Sequence, residues 1–254
     1  MKARIALLLA LISLPFSLLR ADSQSEEWIA KGRAALGAES ALKAVKSVHF
    51  SGVLDTLQTI TDKDGSTRTV PLHLTIDIIF QKPYQQRITL SSEKMAETTG
   101  LDDYDGWRRR AEVGGEGKWE MSLLEPTQIK QLRANTWENL AFYSGIEQIG
   151  GQVVYQGTED VGGKSCAKVA FIHSDNIVFT RSFERSTGRL IKTMTDAGGV
   201  ITEEGEVIVG GVRFPQKLVS KDPSGIVTTI TFSNVKVNEV FPVSEFAVPT
   251  LGKQ

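Results

Sequence analysis

The polar residues of this chain suggest several kinds of chemistry, and spacing decides each. Gly162-Gly163-Lys164-Ser165 resembles the end of a phosphate-binding loop, but the earlier glycine that such a loop needs falls on Thr158, with Gly157 one place off. The segment lies between two strand-like runs and lacks the helix N-terminus that would hold a phosphate, so it reads as a hairpin turn. His49, His73 and His173 include no pair at the short spacing that puts two imidazoles on one metal. Asp102, Asp103 and Asp105 precede Arg108, Arg109 and Arg110 without the alternating ligands and terminal glutamate of a calcium loop. Nor is there a second carboxylate in a contrasting setting for acid and base roles. These charges read as pairs across the arms of a hairpin. No Gly-x-Ser-x-Gly occurs, so a nucleophile elbow is missing. The single cysteine, Cys166, cannot close an intrachain disulfide and reads as a packed apolar residue. No catalytic residue, no metal and no cofactor is expected.

Charge points the same way. The 29 Lys and Arg and 30 Asp and Glu are interspersed, the formal charge is −1, and no basic stripe with interleaved aromatics occurs. Nucleic acid is therefore not an expected partner. At the N-terminus, Lys2 and Arg4 precede an apolar run from Ile5 to Leu19 that Pro15 interrupts. This is the pattern of a secretory signal peptide over residues 1–21, shorter than the roughly 20 apolar residues that span a bilayer. Arg20, Ala21 and Asp22 follow, with no cysteine to carry a lipid anchor. Residues 22–254 are expected to form one exported domain.

The elements that would position any site follow from periodicity. Ser25 as N-cap, Glu26 and Glu27 in the first turn, and Trp28, Ile29, Ala35 and Leu36 at helical reach predict a first helix closed by Gly37. A short second helix runs through Ala41, Leu42 and Val45. The period then becomes two. Leu72, Leu74, Ile76, Ile78 and Phe80 alternate with a mixed opposite face, and the pattern recurs at Ile88 and Leu90, at Val169 and Phe171, at Ile177, Phe179 and Phe183, and at Ile226, Ile230 and Phe232. Turn signals such as Asp64-Gly65, Asp105-Gly106, Gly162-Gly163, Gly198-Gly199 and Gly210-Gly211 separate these runs, which predicts an antiparallel meander. One helical interruption, opened by Pro126 and Thr127 and carried by Ile129, Leu132, Thr136 and Leu140 with Trp137 and Phe142 nearby, reads as a helix laid against the sheet.

In this order the chain resembles the LolA/LolB-like lipoprotein carriers of the periplasm and outer membrane. The resemblance lies in Ala35-Leu36-Gly37-Ala38-Glu39 leading through Leu42 into Val48, in Tyr104-Asp105-Gly106-Trp107, and in the helix after Leu124-Glu125-Pro126. It continues in Glu159-Asp160-Val161-Gly162-Gly163-Lys164, in Gly210-Gly211-Val212-Arg213-Phe214-Pro215, and in Val237-Asn238 with Phe241 and Phe246. It covers nearly all of residues 25–249. It implies a mainly β fold with a few helices, a single antiparallel sheet curled into an unclosed half-barrel, and an apolar cavity beneath the helices that holds acyl chains. It also implies a periplasmic location, a lipid or acylated lipoprotein as partner with a possible envelope membrane protein, and a monomer. Leu74, Ile76, Ile78, Ile88, Leu90, Phe171, Ile177, Phe179 and Phe232 are then either ordinary core or the cavity lining, and Trp137 either packs under the cover or touches a bound lipid. Three functional readings stay open: a non-enzymatic carrier, an envelope interaction or sensing module on the same fold, and an enzyme whose groups meet only in three dimensions.

Overall fold

A computed structural model describes residues 23–114 and 119–250, so the expected signal peptide lies outside the described residues. The chain opens with α1 (Ser23–Leu36) and α2 (Glu39–Ala44). Six strands follow: β1 (Ser47–Thr61), β2 (Thr67–Gln81), β3 (Gln85–Ser91), β4 (Met95–Asp102), β5 (Asp105–Glu112) and β6 (Trp119–Leu123). After helix α3 (Pro126–Ala141) come β7 (Gln152–Val161), β8 (Lys164–Ser174), β9 (Ile177–Glu184), β10 (Leu190–Thr195), β11 (Val200–Glu204), β12 (Val207–Val209), β13 (Val212–Phe214), β14 (Lys217–Lys221) and β15 (Val227–Val237).

Thirteen strands form one continuous sheet in the order β6-β5-β4-β3-β2-β1-β15-β14-β11-β10-β9-β8-β7, and β12 and β13 pair separately. The sheet is antiparallel and unclosed, because β6 and β7 are its two free edges. This order has one topological consequence. The chain steps outward from β1 to one edge, must cross to the far edge, and returns stepwise to β15 beside β1. Helix α3 makes the crossing, over the face formed by β1 to β5. It can begin there because Pro126 occupies its first turn, where no N–H partner is needed, and because Glu125 and Gln128 form a reciprocal capping box. Among the described residues no helix is long and apolar enough to cross a membrane.

The hairpin reading of Gly162-Gly163 holds: the two glycines join β7 to β8 with φ of 61° and 82°, the left-handed pair a two-residue turn requires. Two expectations are corrected. Ser25 does not cap α1, which extends to Ser23; it is fully buried and its hydroxyl donates to the Val153 carbonyl at 3.4 Å. The acidic cluster does not pair with Arg108, Arg109 and Arg110. The β4–β5 register sets Glu97 opposite Arg110 and Thr99 opposite Arg108, so both arginines reach Glu97. Asp103 instead holds Arg133 of α3, and Asp102 accepts from Gln85.

Each face of the sheet is covered in part. On the inner face Val48, Phe50, Ile76, Ile78, Phe80, Val169, Phe171 and Phe183 pack against Trp28 and Leu36 of α1 and Leu140 of α3. On the outer face the segment after β15 folds back, burying Phe246 fully against Trp107, whose indole Nε1 donates to the Phe246 carbonyl at 2.7 Å. The β12–β13 hairpin leaves the sheet and bridges to the end of α1 through Gly37 and Val212, adding Phe214 to the inner core.

Candidate functional site

The inner face is not filled. A cavity of about 280 Å³ remains between the sheet and its cover. Its floor is Phe50, Ile78, Phe80, Ile88, Leu218 and Phe232, drawn from five neighbouring strands, and its roof is Leu36, Phe142, Tyr143, Phe214 and Pro215. Alternation explains the floor, since every second residue of a strand faces the same side. The roof depends on chain turns. Phe142 and Tyr143, just beyond α3, have φ of 50° and 70°, two consecutive non-glycine residues in the left-handed region. A larger trough of about 980 Å³ runs along α1 and holds the Arg33–Glu39 pair, but it lies outside the space between sheet and α3.

One end of the cavity is polar. Glu138 of α3, Arg181 of β9, Glu203 of β11 and Arg213 of β13 all line it. Glu138 is shared: its Oε1 lies 2.5 Å from His173 Nε2 and its Oε2 lies 2.5 Å from Arg181 Nη1. Burial pushes the Glu138 carboxyl up, but the Arg181 charge and the His173 contact outweigh it and hold the group below the ordinary glutamate range. The faces of the Arg181 guanidinium are covered by the rings of Phe171 and Tyr143, 4.6 and 4.9 Å from their centroids. Arg213 Nε donates to the Ala35 carbonyl at 3.2 Å, while its Nη1 stays 3.8 Å from Glu203 Oε2, beyond hydrogen-bond reach. Burial pushes the Glu203 carboxyl up, and Arg213 and Arg181 offset this only in part. Burial, then the nearby Glu203, also raises the phenol of Tyr143, which all four charges influence.

The fold of this chain has solved counterparts. A LolA superfamily protein from Nitrosomonas europaea superposes with a TM-score of 0.55 at 11% identity, over 88% of this chain and 97% of that one. The chain shares the fold of that protein. A DUF1329 family protein from Desulfovibrio piger superposes with a TM-score of 0.51 at 10% identity, again over 88% of this chain and 97% of that one. The sequence matches no protein-family model and no curated protein.

Within this fold the crossover helix is fastened at several points. Arg33 of α1, 9% exposed, donates Nη1 to the carbonyls of Ala141 and Phe142 at 2.9 and 2.6 Å and to Ser144 Oγ at 2.8 Å. These carbonyls lie at the C-terminal end of α3, where that of Ala141 also accepts from the amide and hydroxyl of Ser144, and a cation there complements the helix dipole. Glu39 holds the other edge of the guanidinium at 2.8 and 2.9 Å, and that hydrogen bonding keeps its carboxyl below the ordinary range. Thr136 Oγ1 and Asn135 Nδ2 both donate to Gln86 Oε1 of β3.

Of the residues singled out by alternation, Ile78, Ile88, Phe179 and Phe232 line the cavity. Ile76 and Phe171 are buried in the core, Leu90 is half-buried against it, and Leu74 is half-buried on its strand. Ile177 lines a separate surface groove with Tyr84, Tyr104 and Arg133, and Trp137 stacks on Tyr84 at 6.1 Å. Of the three histidines, His73 is exposed against Asp55 and His49 sits on the outer face between Asp77 and Glu239. Cys166 is buried, and burial raises its thiol. The polar end went unnoticed in the sequence, yet it carried a signal: Ile177, Phe179, Arg181 and Phe183 share one strand face, as do Ile201 and Glu203, so Arg181 and Glu203 stand where the pattern asks for apolar residues.

Proposed function

We propose that this chain is a non-enzymatic periplasmic carrier that shelters an acyl chain of a lipid or lipoprotein between its sheet and the crossover helix and releases it at a membrane. The observation that carries this reading is the unfilled apolar space over Phe50, Ile78, Ile88 and Phe232 in a chain otherwise packed with large side chains. Each buried CH₂ leaves water at about 0.8 kcal/mol, so a ten-carbon chain would gain several kcal/mol before ordering costs, without a catalytic group. The paired left-handed residues Phe142 and Tyr143 at the end of α3 supply a strained junction at which the cover can lift. Native mass spectrometry of gently purified protein should find bound lipid, and a fluorescent fatty probe should titrate to saturation. Protein that is always empty and shows no affinity for such probes would sink the reading.

A second reading, an envelope interaction module, is favoured by one surface feature. The guanidinium of Arg133 is sandwiched between Tyr84 and Tyr104, 3.8 and 3.9 Å from their rings, and Tyr104 is two-thirds exposed. Aromatic and arginine groups held rigidly at a surface are common at protein contacts. Capture of one defined envelope protein, lost in Tyr104→Ala and unaffected by filling the cavity, would favour it.

A further inference from the structure

The cavity has two chemically different ends, and the carrier reading uses only one of them. At the polar end Arg181, 6% exposed, pairs its Nη1 with Glu138 but has Nε buried without a hydrogen-bond partner among the described residues. Arg213, with a side chain 10% exposed, leaves Nη2 in the same condition. Unmet guanidinium donors in a buried setting are costly, since a desolvated charged donor loses its hydration and receives nothing in exchange. Two such groups on different strands, both lining one hollow, are a pre-formed receptor for acceptor oxygens.

The carboxylates present do not fill this role. Glu138 is already divided between His173 and Arg181. Glu203 stops at 3.8 Å from Arg213 Nη1, beyond hydrogen-bond reach, and leaves Arg213 Nη2 unmet. In the same space Phe50, Ile78 and Phe232 form an apolar floor, with Asn135 and Asn139 of α3 also in the lining. At about 280 Å³ the space lies at the small end of ligand pockets, suited to one chain and not to several.

We propose that the polar end is a headgroup site, so that the cavity selects a single-chain amphiphile ending in a carboxylate or phosphate, with its acidic oxygens on Arg181 and Arg213 and its tail over Phe50, Ile78 and Phe232. This rests on the carrier reading and adds the ligand class to it. Neutral long-chain alcohols and cationic amphiphiles fit the floor equally well but leave both guanidiniums unmet or repelled.

The test compares four ten-carbon probes on the full protein by calorimetry at about pH 8, where carboxylate heads are ionised: decanoate, decyl phosphate, decanol and decyltrimethylammonium. Decanoate or decyl phosphate should bind at least about tenfold tighter than decanol, as charge-assisted hydrogen bonds in a buried site require, and the tighter of the two identifies the head. Arg213→Gln should remove this preference, weakening the anionic probes at least about tenfold more than decanol. Glu203→Gln, which takes away a competing carboxylate without loss of volume, should widen it, and this holds the proposal open to test if Arg213→Gln does not fold. Decanol binding as tightly as both anions, or the cationic probe binding best, overturns the headgroup site and leaves the carrier reading intact. Failure of all four probes to bind overturns both.

Discussion

Glu138 and Arg181 meet at 2.5 Å, carboxylate Oε2 to guanidinium Nη1, and this contact ties the crossover helix to strand β9 at the polar end of the cavity. His173 on β8 holds the other oxygen. Removing one member of a buried ion pair leaves the other uncompensated, so Glu138→Ala should cost about 3–5 kcal/mol in a urea melt. Glu138 is held below its ordinary value of 4.5, so its contribution is present above that pH and is lost as pH falls through the lowered folded value. The gap between wild type and variant should therefore shrink on acidification below about pH 4, and a gap independent of pH would contradict the assignment.

Glu203 behaves in the opposite sense. Burial raises its carboxyl above 4.5, so the folded protein keeps a proton that the unfolded chain has released over the window between 4.5 and the raised value. Stability falls as pH rises through that window. Glu203→Gln removes the penalty, so it should melt above wild type at about pH 8 and level with it at about pH 4.

Arg33 holds the end of α3 through Ala141, Phe142 and Ser144. Arg33→Ala should cost about 2–4 kcal/mol, since several charged hydrogen bonds go at once. Hydrogen exchange should quicken most at the amides of residues 140–146, and a uniform change across the chain would argue against a local fastening.

Gly100 faces Trp107 across the β4–β5 pair, and a Cβ there would lie 2.2 Å from Cε2 of the indole. The indole cannot yield without losing its bond to the Phe246 carbonyl. Gly100→Ala should cost about 1–3 kcal/mol or more and shift tryptophan fluorescence as the outer segment loosens.

Filling the hollow should separate lining from core. Ile88→Trp places volume in the cavity and should abolish uptake of fatty probes with stability changed by about 1 kcal/mol at most. Phe171→Ala, at a site 1% exposed, should cost about 3–5 kcal/mol. Undiminished uptake by Ile88→Trp would place the chains elsewhere.

The class of fold was legible in the sequence because its signals are local. Alternation at Leu72–Phe80 set a strand with one buried face, Pro126 and the helical spacing up to Leu140 set the crossover helix, and paired glycines such as Gly162-Gly163 set tight hairpins. The charge pairing of the β4–β5 hairpin was not legible, because a shift of register by one or two residues changes every partner and only the folded pair shows that Glu97 faces Arg110. The same holds for Arg33, whose partners at the end of α3 lie more than a hundred residues away.

What the sequence alone determined is therefore the kind of surface each segment presents: strands with one apolar face, and a helix able to lie on them. Whether those faces would meet solidly or leave room was decided only by the tertiary structure, since a void depends on sheet curvature and on where α3 and the β12–β13 hairpin come to rest. That packing also gathers Glu138, Arg181, Glu203 and Arg213 from four separate elements around one hollow. Sequence spacing carries no record of such convergence, because burial and electrostatic neighbourhood are properties of distances through space.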